Sequence, residues 1–366
     1  APLSNAEKFY RLHTRQIWIT AVLLVALFLG WKTWRVYQLT SAVQNEMSQL
    51  QALADSPPDL NSLSSVAPLL VTTRRDVLAL QSEAQPFLWM GPLFAWMPVY
   101  GGDLANADSL LRFATGTVVA ADETYNSLLP MWQEAQNKET RPSTSTLLKH
   151  LTAARPRLTI ARDSLEAALV ARAEIDASQL SPKNGSRLLK ADPYLPLLRD
   201  ALNAGIAAPG LLGADGPRTY LIMIQNEDEL RATGGFLSAV AVVTVSGGEI
   251  LRFKAEDSYA IDDLTKPYLY APDPLRRYMA AHIWLLRDAN WSPDFPTSAR
   301  EVEGLYIYTR PGPIDGVIAI DQMAVRLLLE AIGPISSTTS TDVVTADNLI
   351  TYMRAAYSPP PGQAMT

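Results

Sequence analysis

Residues 219–255 read TYLIMIQNEDELRATGGFLSAVAVVTVSGGEILRFKA, and this stretch decides the fold class. Thr219–Gln225 is apolar and rich in β-branched residues, which predicts a buried strand. Leu237–Val245 predicts a second strand, Ser246-Gly247-Gly248 a hairpin turn, and the alternating Glu249–Ala255 a third strand. Downstream, residues 257–296 are rich in Asp, Pro and Tyr, with one apolar helical patch near Leu275–Leu286. Thr297–Tyr308 predicts a helix capped by Thr297 or Ser298. Ile314–Asp321 (IDGVIAID) predicts a fourth strand, and Gln322–Ile332 a helix stopped by Gly333-Pro334. Asp347–Ala356 predicts a last short helix. Strands alternating with helices make residues 211–357 an α/β domain, followed by the Pro-rich tail 358–366, SPPPGQAMT.

Upstream of Gly216-Pro217 the period is helical. Ser41–Leu53 carries apolar residues at three- and four-residue steps, and Ser56-Pro57-Pro58-Asp59 breaks that run. Helices follow over Leu60–Ala84, Leu104–Trp132 and Ser145–Ile175, the last with a kink expected at Pro156. Residues 177–196 are punctuated by Pro and Ser, and Leu197–Ile206 predicts a short helix. Within this helical module, 38–210, lies PFLWMGPLFAWMPVYGGD, residues 86–103. Its two Trp, two Phe, one Tyr and three Pro exclude one regular helix and predict an aromatic loop, either packed into the module or lying on a membrane surface.

The first residues set the location. QIWITAVLLVALFLGW, residues 16–31, carries no charge. Sixteen residues rise only about 24 Å, but continuing the helix from Ile17 to Tyr37 gives about 31 Å, enough to cross the hydrocarbon core. Trp18 on one side and Trp31, Trp34 and Tyr37 on the other suit the interfaces, and Lys32 and Arg35 can snorkel. A cleaved signal peptide or a buried core helix are the alternatives. The span 16–37 is read as a transmembrane anchor and residues 1–15 as a cytoplasmic leader. Lys8, Arg11 and Arg15 precede the span against Lys32 and Arg35 after it, so the positive-inside rule puts the N-terminus in the cytoplasm and the body outside.

Composition narrows the function. The 366 residues are 48% hydrophobic and 19% charged, with a net charge of −6. That excludes a disordered chain, and it lacks the basic surplus of a nucleic-acid binder. The absence of Cys removes disulfide scaffolds, thiol catalysis and iron–sulfur clusters. The three His lie far apart, which argues against a His–metal cluster. The sequence contains no G-x-S-x-G, Walker A or H-E-x-x-H pattern.

Three polar segments are candidates for chemistry. In Asn226–Phe236, Glu229 and Arg231 sit beside Gly234-Gly235 at a strand end, where α/β folds gather ligands. The glycine pair lets backbone N–H groups approach an anion, and Arg231 can grip a phosphate with two donors. A tight turn with a solvated Glu229–Arg231 pair is the plain alternative. Asp257, Asp262 and Asp263 form the second set. Asp257 and Asp262 are the candidate Mg²⁺ ligands, and Asp262 a candidate proton acceptor, with Asx turns as the alternative. The third set is Arg287, Asp288 and Asp294, which can line the same cleft, unless Asp294 merely caps the next helix.

The segments YLIMIQNEDELRATGGF (220–236), DANWSPDFPTSAREV (288–302) and DGVIAIDQMAVRLLLEAIGPI (315–335) resemble the bacterial domain-of-unknown-function 4012 family, and WMPVYGGDLANADSLL (96–111) is similar to its helical region. Members are membrane-anchored, so the resemblance names a neighbourhood rather than a reaction. The α/β part more distantly resembles the LytR-CpsA-Psr transferases, which move glycopolymers from polyprenyl pyrophosphate carriers onto the wall using Mg²⁺, Arg and Asp. That resemblance implies a phosphate-clamping Arg231, a charge-neutralising Arg287 and a ligand role for Arg354. It also implies a domain incomplete at its C-terminus. The pattern departs from that family at Arg231-Ala232-Thr233-Gly234, which lacks the Asp, and at Ser258–Asp262, which lacks an Arg. The expectation is a single-pass protein of the bacterial cell membrane with an extracytoplasmic body. It would act as an accessory subunit of an envelope assembly, with other membrane subunits or a second copy as partners, or else as a transferase acting on a polyprenyl-linked glycan. No nucleic acid is expected.

Overall fold

The computed structural model describes residues 5–54, 60–135, 142–336 and 342–357. The Ser56–Asp59 break and the 358–366 tail lie outside the described residues. The chain divides into two compact units, 1–209 and 210–366.

The first unit is helical. α1, Asn5–Ala54, runs unbroken through the apolar stretch. It is the one helix among the described residues long and apolar enough to cross a membrane, and Leu23, Leu27 and Phe28 stand exposed on it. α2, Leu60–Ala84, runs back along α1. Glu83 takes the Lys32 ammonium and lies 3.7 Å from Arg35 Nε, while Glu46 meets Thr73 and Asp76 farther along. The predicted aromatic loop is instead a 3₁₀ helix, Gln85–Phe94, followed by tight turns, a geometry that accommodates Pro86 and Pro92. The expected Leu104–Trp132 helix divides into α3, Gly101–Ala105, and α4, Ala107–Ala135.

α5, Thr144–Ala173, is capped by Ser143, whose hydroxyl accepts the Thr146 N–H at 3.2 Å, and it passes through Pro156 without ending. Its buried face alternates Ala154, Leu158, Ala161, Leu165 and Ala168. Small residues let α4 approach closely. A Cβ on Gly116 would fall 2.5 Å from the Ser164 carbonyl oxygen, so glycine is what the contact admits. The Pro- and Ser-punctuated stretch holds a further helix, α6, Pro182–Ala191, with Pro182 at its first position, where a missing N–H costs nothing. α7, Tyr194–Leu211, is longer than the spacing indicated.

The second unit carries a mixed sheet ordered β3-β2-β1-β4, with β1 Arg218–Asn226, β2 Phe236–Ser246, β3 Glu249–Asp257 and β4 Gly316–Ile320. β1 pairs antiparallel with β2 and parallel with β4. One face of the sheet offers Leu221, Met223, Leu237 and Val240 to Ile261, Leu286, Ala289, Val302 and Tyr306, all buried. The covering elements are α8, Ser258–Ile261, the 3₁₀ turn Leu286–Asp288 and α10, Phe295–Thr309. The expected helical patch near Leu275–Leu286 is only α9, Asp273–Met279. Ala280 turns left-handed at φ 54°, and Ile283 then bridges to Tyr270 in extended form. α11, Gln322–Ile332, a two-stranded ribbon of β5 (Ile335–Ser336) and β6 (Val343–Val344), and α12, Leu349–Tyr357, complete the unit.

On β3, Arg252, Lys254 and Glu256 lie on the core face, paired with Thr244, Val242 and Val240. The apolar cover therefore stops short of this edge strand. Phe253, paired with Val243 on the other face, is 64% exposed, and Ile250 and Leu251 are equally bare.

Candidate functional site

Because β1 and β4 run parallel and β2 returns between them and β3, Asn226, Phe236, Asp257 and Ile320 come to one end of the sheet. The acidic loop 227–235, the segment 258–263 and the Leu286–Asp288 turn meet there.

Asp288 is the centre of the cluster. Arg231 Nη2 lies 3.8 Å from one of its oxygens, and Arg287 Nε lies 3.9 Å from the other. Each guanidinium rests on an aromatic ring. Arg231 sits 5.2 Å above Phe236 and Arg287 4.5 Å above Tyr259, and the two rings approach each other at 6.3 Å. Arg231 also faces Glu229 at 3.8 Å, the pairing that spacing suggested.

Asn290 and Gln225 hold the loop. Asn290, wholly buried, donates from Nδ2 to Thr233 Oγ1 at 3.0 Å and to the Gly235 carbonyl at 2.8 Å. Gln225 Nε2 donates to the same hydroxyl oxygen at 2.6 Å. Between them the loop folds back so tightly that a Cβ on Gly235 would lie 2.3 Å from the Asn226 carbonyl oxygen, while Gly234 takes φ +132°. The glycine pair thus serves the turn, whatever it offers a ligand.

Asp262 enters from the other side. One carboxylate oxygen accepts the Leu286 N–H at 3.0 Å. Its other oxygen, Arg231 Nε and Asn290 Oδ1 are buried without a hydrogen-bond partner among the described residues. Burial pushes the Asp262 carboxyl above the usual carboxylate range, against the Leu286 N–H and the Arg287 charge. Burial raises Asp288 as well, only partly offset by Arg287 and Arg231. A carboxyl raised in this way binds more protons folded than unfolded, so its contribution to stability falls as pH climbs from the ordinary carboxylate range. Asp262→Asn keeps the oxygen that accepts from Leu286 and removes that penalty. Thermal unfolding across acid to neutral pH is therefore expected to show a flatter decline for this variant, with the gain at neutral pH. A variant that melts lower at every pH would refute the assignment.

The other candidates are engaged in local roles. Asp257 is the N-cap of α8 and accepts the Tyr259 N–H at 2.8 Å. Asp263 makes an Asx turn with Thr265. Asp294, not Thr297 or Ser298, caps α10, accepting the Thr297 N–H at 3.0 Å. Arg354 pairs with Asp228 at 3.0 Å, an acid the sequence reading left unassigned. The donor set does not fit Mg²⁺, since Asp257 caps a helix, Asp262 offers one unengaged oxygen, and no group of three or more His, Asp or Glu suited to a metal ion occurs among the described residues. Gln225, Thr233 and Asn290 escaped the sequence reading, although Asn290 stands two residues beyond Asp288 in the segment that drew notice.

Fold and cluster together define an α/β module with an arginine–aspartate centre at the end of its sheet. Residues 215–357 match the family described as Protein of unknown function (DUF4012). The match leaves residues 96–111 outside. No curated protein and no solved structure matches the chain, and neither comparison supports the likeness to LytR-CpsA-Psr transferases.

Proposed function

We propose that the protein is a single-pass, membrane-anchored accessory subunit of a bacterial cell-envelope assembly, with its N-terminus in the cytoplasm and its body outside. The observation that carries this reading is the bare edge of the α/β unit. Ile250, Leu251 and Phe253 on β3 form a row of apolar side chains on a strand whose outer backbone has no strand partner among the described residues, which invites another protein. The outward Leu327, Leu328 and Ile332 of α11 add to the exposed apolar area. Tagged full-length protein purified from its native membranes is expected to bring down stoichiometric partner subunits. Phe253→Glu is expected to release them with the melting temperature unchanged, because the side chain is already in solvent. Retention of every partner by this variant, or purification of the chain alone, would refute the reading.

One observation favours a glycopolymer phosphotransferase instead: the unpartnered Arg231 Nε and Asp262 oxygen beside Arg287. In that reading Arg231 grips a phosphate, Arg287 neutralises developing charge and Asp262 takes a proton. Polyprenyl-linked phosphate recovered with the wild type and lost in Arg231→Gln would favour it over the accessory role.

A further inference from the structure

We propose that the connection between α2 and α4, residues 85–106, together with the basic helix α6, lies on an anionic lipid surface with its aromatic side chains in the headgroup–acyl boundary. The inference rests on the reading of α1 as membrane anchor and adds a second, reversible attachment beside it.

Level comes from helix pairing. Glu46 meets Thr73 and Asp76, and Lys32 meets Glu83, so α1 and α2 are antiparallel, and ascending α2 means descending α1 toward its apolar span. α4 runs antiparallel to α2 in turn, since Gln81 accepts from Thr115 at 3.0 Å and Arg74 reaches Asp122 at 2.6 Å. Everything between Glu83 and about residue 110 therefore projects past Lys32, the first charge after the apolar run, toward the level where α1 enters lipid.

The chemistry of that projection is interfacial. Trp89 is 72% and Trp96 78% exposed, and Leu93, Val99 and Tyr100 are bare as well. Exposed aromatic and aliphatic side chains gathered in one segment mark a membrane or a protein contact. At the membrane boundary indole and phenol rings are at home. Charge supplies an independent pointer. Asp103 of α3 accepts the Ser181 N–H at 2.9 Å and the Asn184 amide at 2.9 Å, which holds the start of α6 beside the same projection. α6 presents exposed Lys183 and Lys190 and a half-buried Arg187, with no acid along Pro182–Ala191. Cations on a helix held to this projection suit anionic headgroups.

The chain has no Cys, so single labels are clean. Full-length protein carrying Leu93→Cys, Trp96→Cys, Val22→Cys or Lys149→Cys, each with an environment-sensitive fluorophore, is reconstituted into phosphatidylcholine vesicles with or without phosphatidylglycerol. Labels at 93 and 96 are expected to be quenched by brominated lipid and shielded from aqueous iodide when phosphatidylglycerol is present, like the label at 22 in the anchor. The label at 149, toward the opposite end of the bundle, is expected to behave in reverse. Lys183→Glu combined with Lys190→Glu is expected to abolish the lipid quenching at 96 while leaving that at 22. Labels at 93 and 96 open to iodide while 22 is shielded would overturn the proposal and leave the anchor standing. Labels there that neither quencher reaches would place a protein on the patch and overturn it equally. A label at 22 open to iodide would overturn the anchor and, with it, this inference.

Discussion

Leu221→Ala is expected to destabilise the α/β unit by about 2–5 kcal/mol, the range for emptying a filled core site. Leu221 has no exposure and occupies β1, the strand that carries the ladder to β2 on one side and β4 on the other. Its side chain lies in the cluster of Met223, Val240, Leu286 and Val302, where the sheet meets its cover. β1 is fixed on both edges, so the backbone cannot close the void, and the cavity cost adds to the lost transfer energy. Denaturant unfolding monitored through Trp284 and Trp291 fluorescence checks the value. Leu327→Ala on the outer face of α11 is the control and should change stability by no more than about 0.5 kcal/mol. A loss at Leu221 as small as the control's would mean that the sheet is not the centre of this unit.

Arg74→Met is the second large effect, about 3 kcal/mol lost from the helical unit. Arg74 on α2 reaches Asp122 at 2.6 Å and Glu123 at 2.8 Å on α4, and both carboxylates are largely withdrawn from water. Without the guanidinium, two acids face each other's charge inside the bundle, with Asn126 donating to Asp122 at 2.9 Å and Arg157 at 3.9 Å from Glu123 as the remaining help. The neighbouring Arg75 pairs with Asp76 at 2.8 Å but is mostly solvated, and Arg75→Ala should cost less than about 1 kcal/mol. Comparable losses for the two variants, read by circular dichroism against temperature, would show that the Arg74 triad is no more than surface decoration.

The contrast between these pairs shows where sequence reading stops. Arg74 and Arg75 are adjacent and alike in the sequence, and only the partner helix distinguishes them. The same holds through the α/β unit. The strands were legible because Thr219–Gln225 and Leu237–Val245 must be apolar on both faces or alternate, and the Gly247-Gly248 turn sets the register of β2 against β3. α11 was legible to the residue because Asp321 caps it and Gly333 ends it. The Leu275–Leu286 patch misled, because an apolar run that forms an isolated bridge to Tyr270 carries no local mark of it. α6 was hidden by Pro182, a residue that breaks helices in their interiors and begins them at their starts.

The candidate site was half legible for the same reason. Arg231, Arg287 and Asp288 are conspicuous as charges near glycine and proline, and the fold does bring them together. Asn290 is an unremarkable polar residue in the sequence. Its importance comes from complete burial and from the Gly235 carbonyl it reaches across 55 residues. Asp257 and Asp294 drew attention as acids and turned out to be helix caps, a role the same residue type fills far more often than catalysis.

α1 runs from Asn5 to Ala54 without a joint. At about 1.5 Å per residue it is a mast of roughly 75 Å, not a tether. The lower part and the part gripped by α2 turn as one piece, so torque on the helical body is delivered to the foot of the helix as tilt, and a change in tilt at the foot swings the body through the same angle.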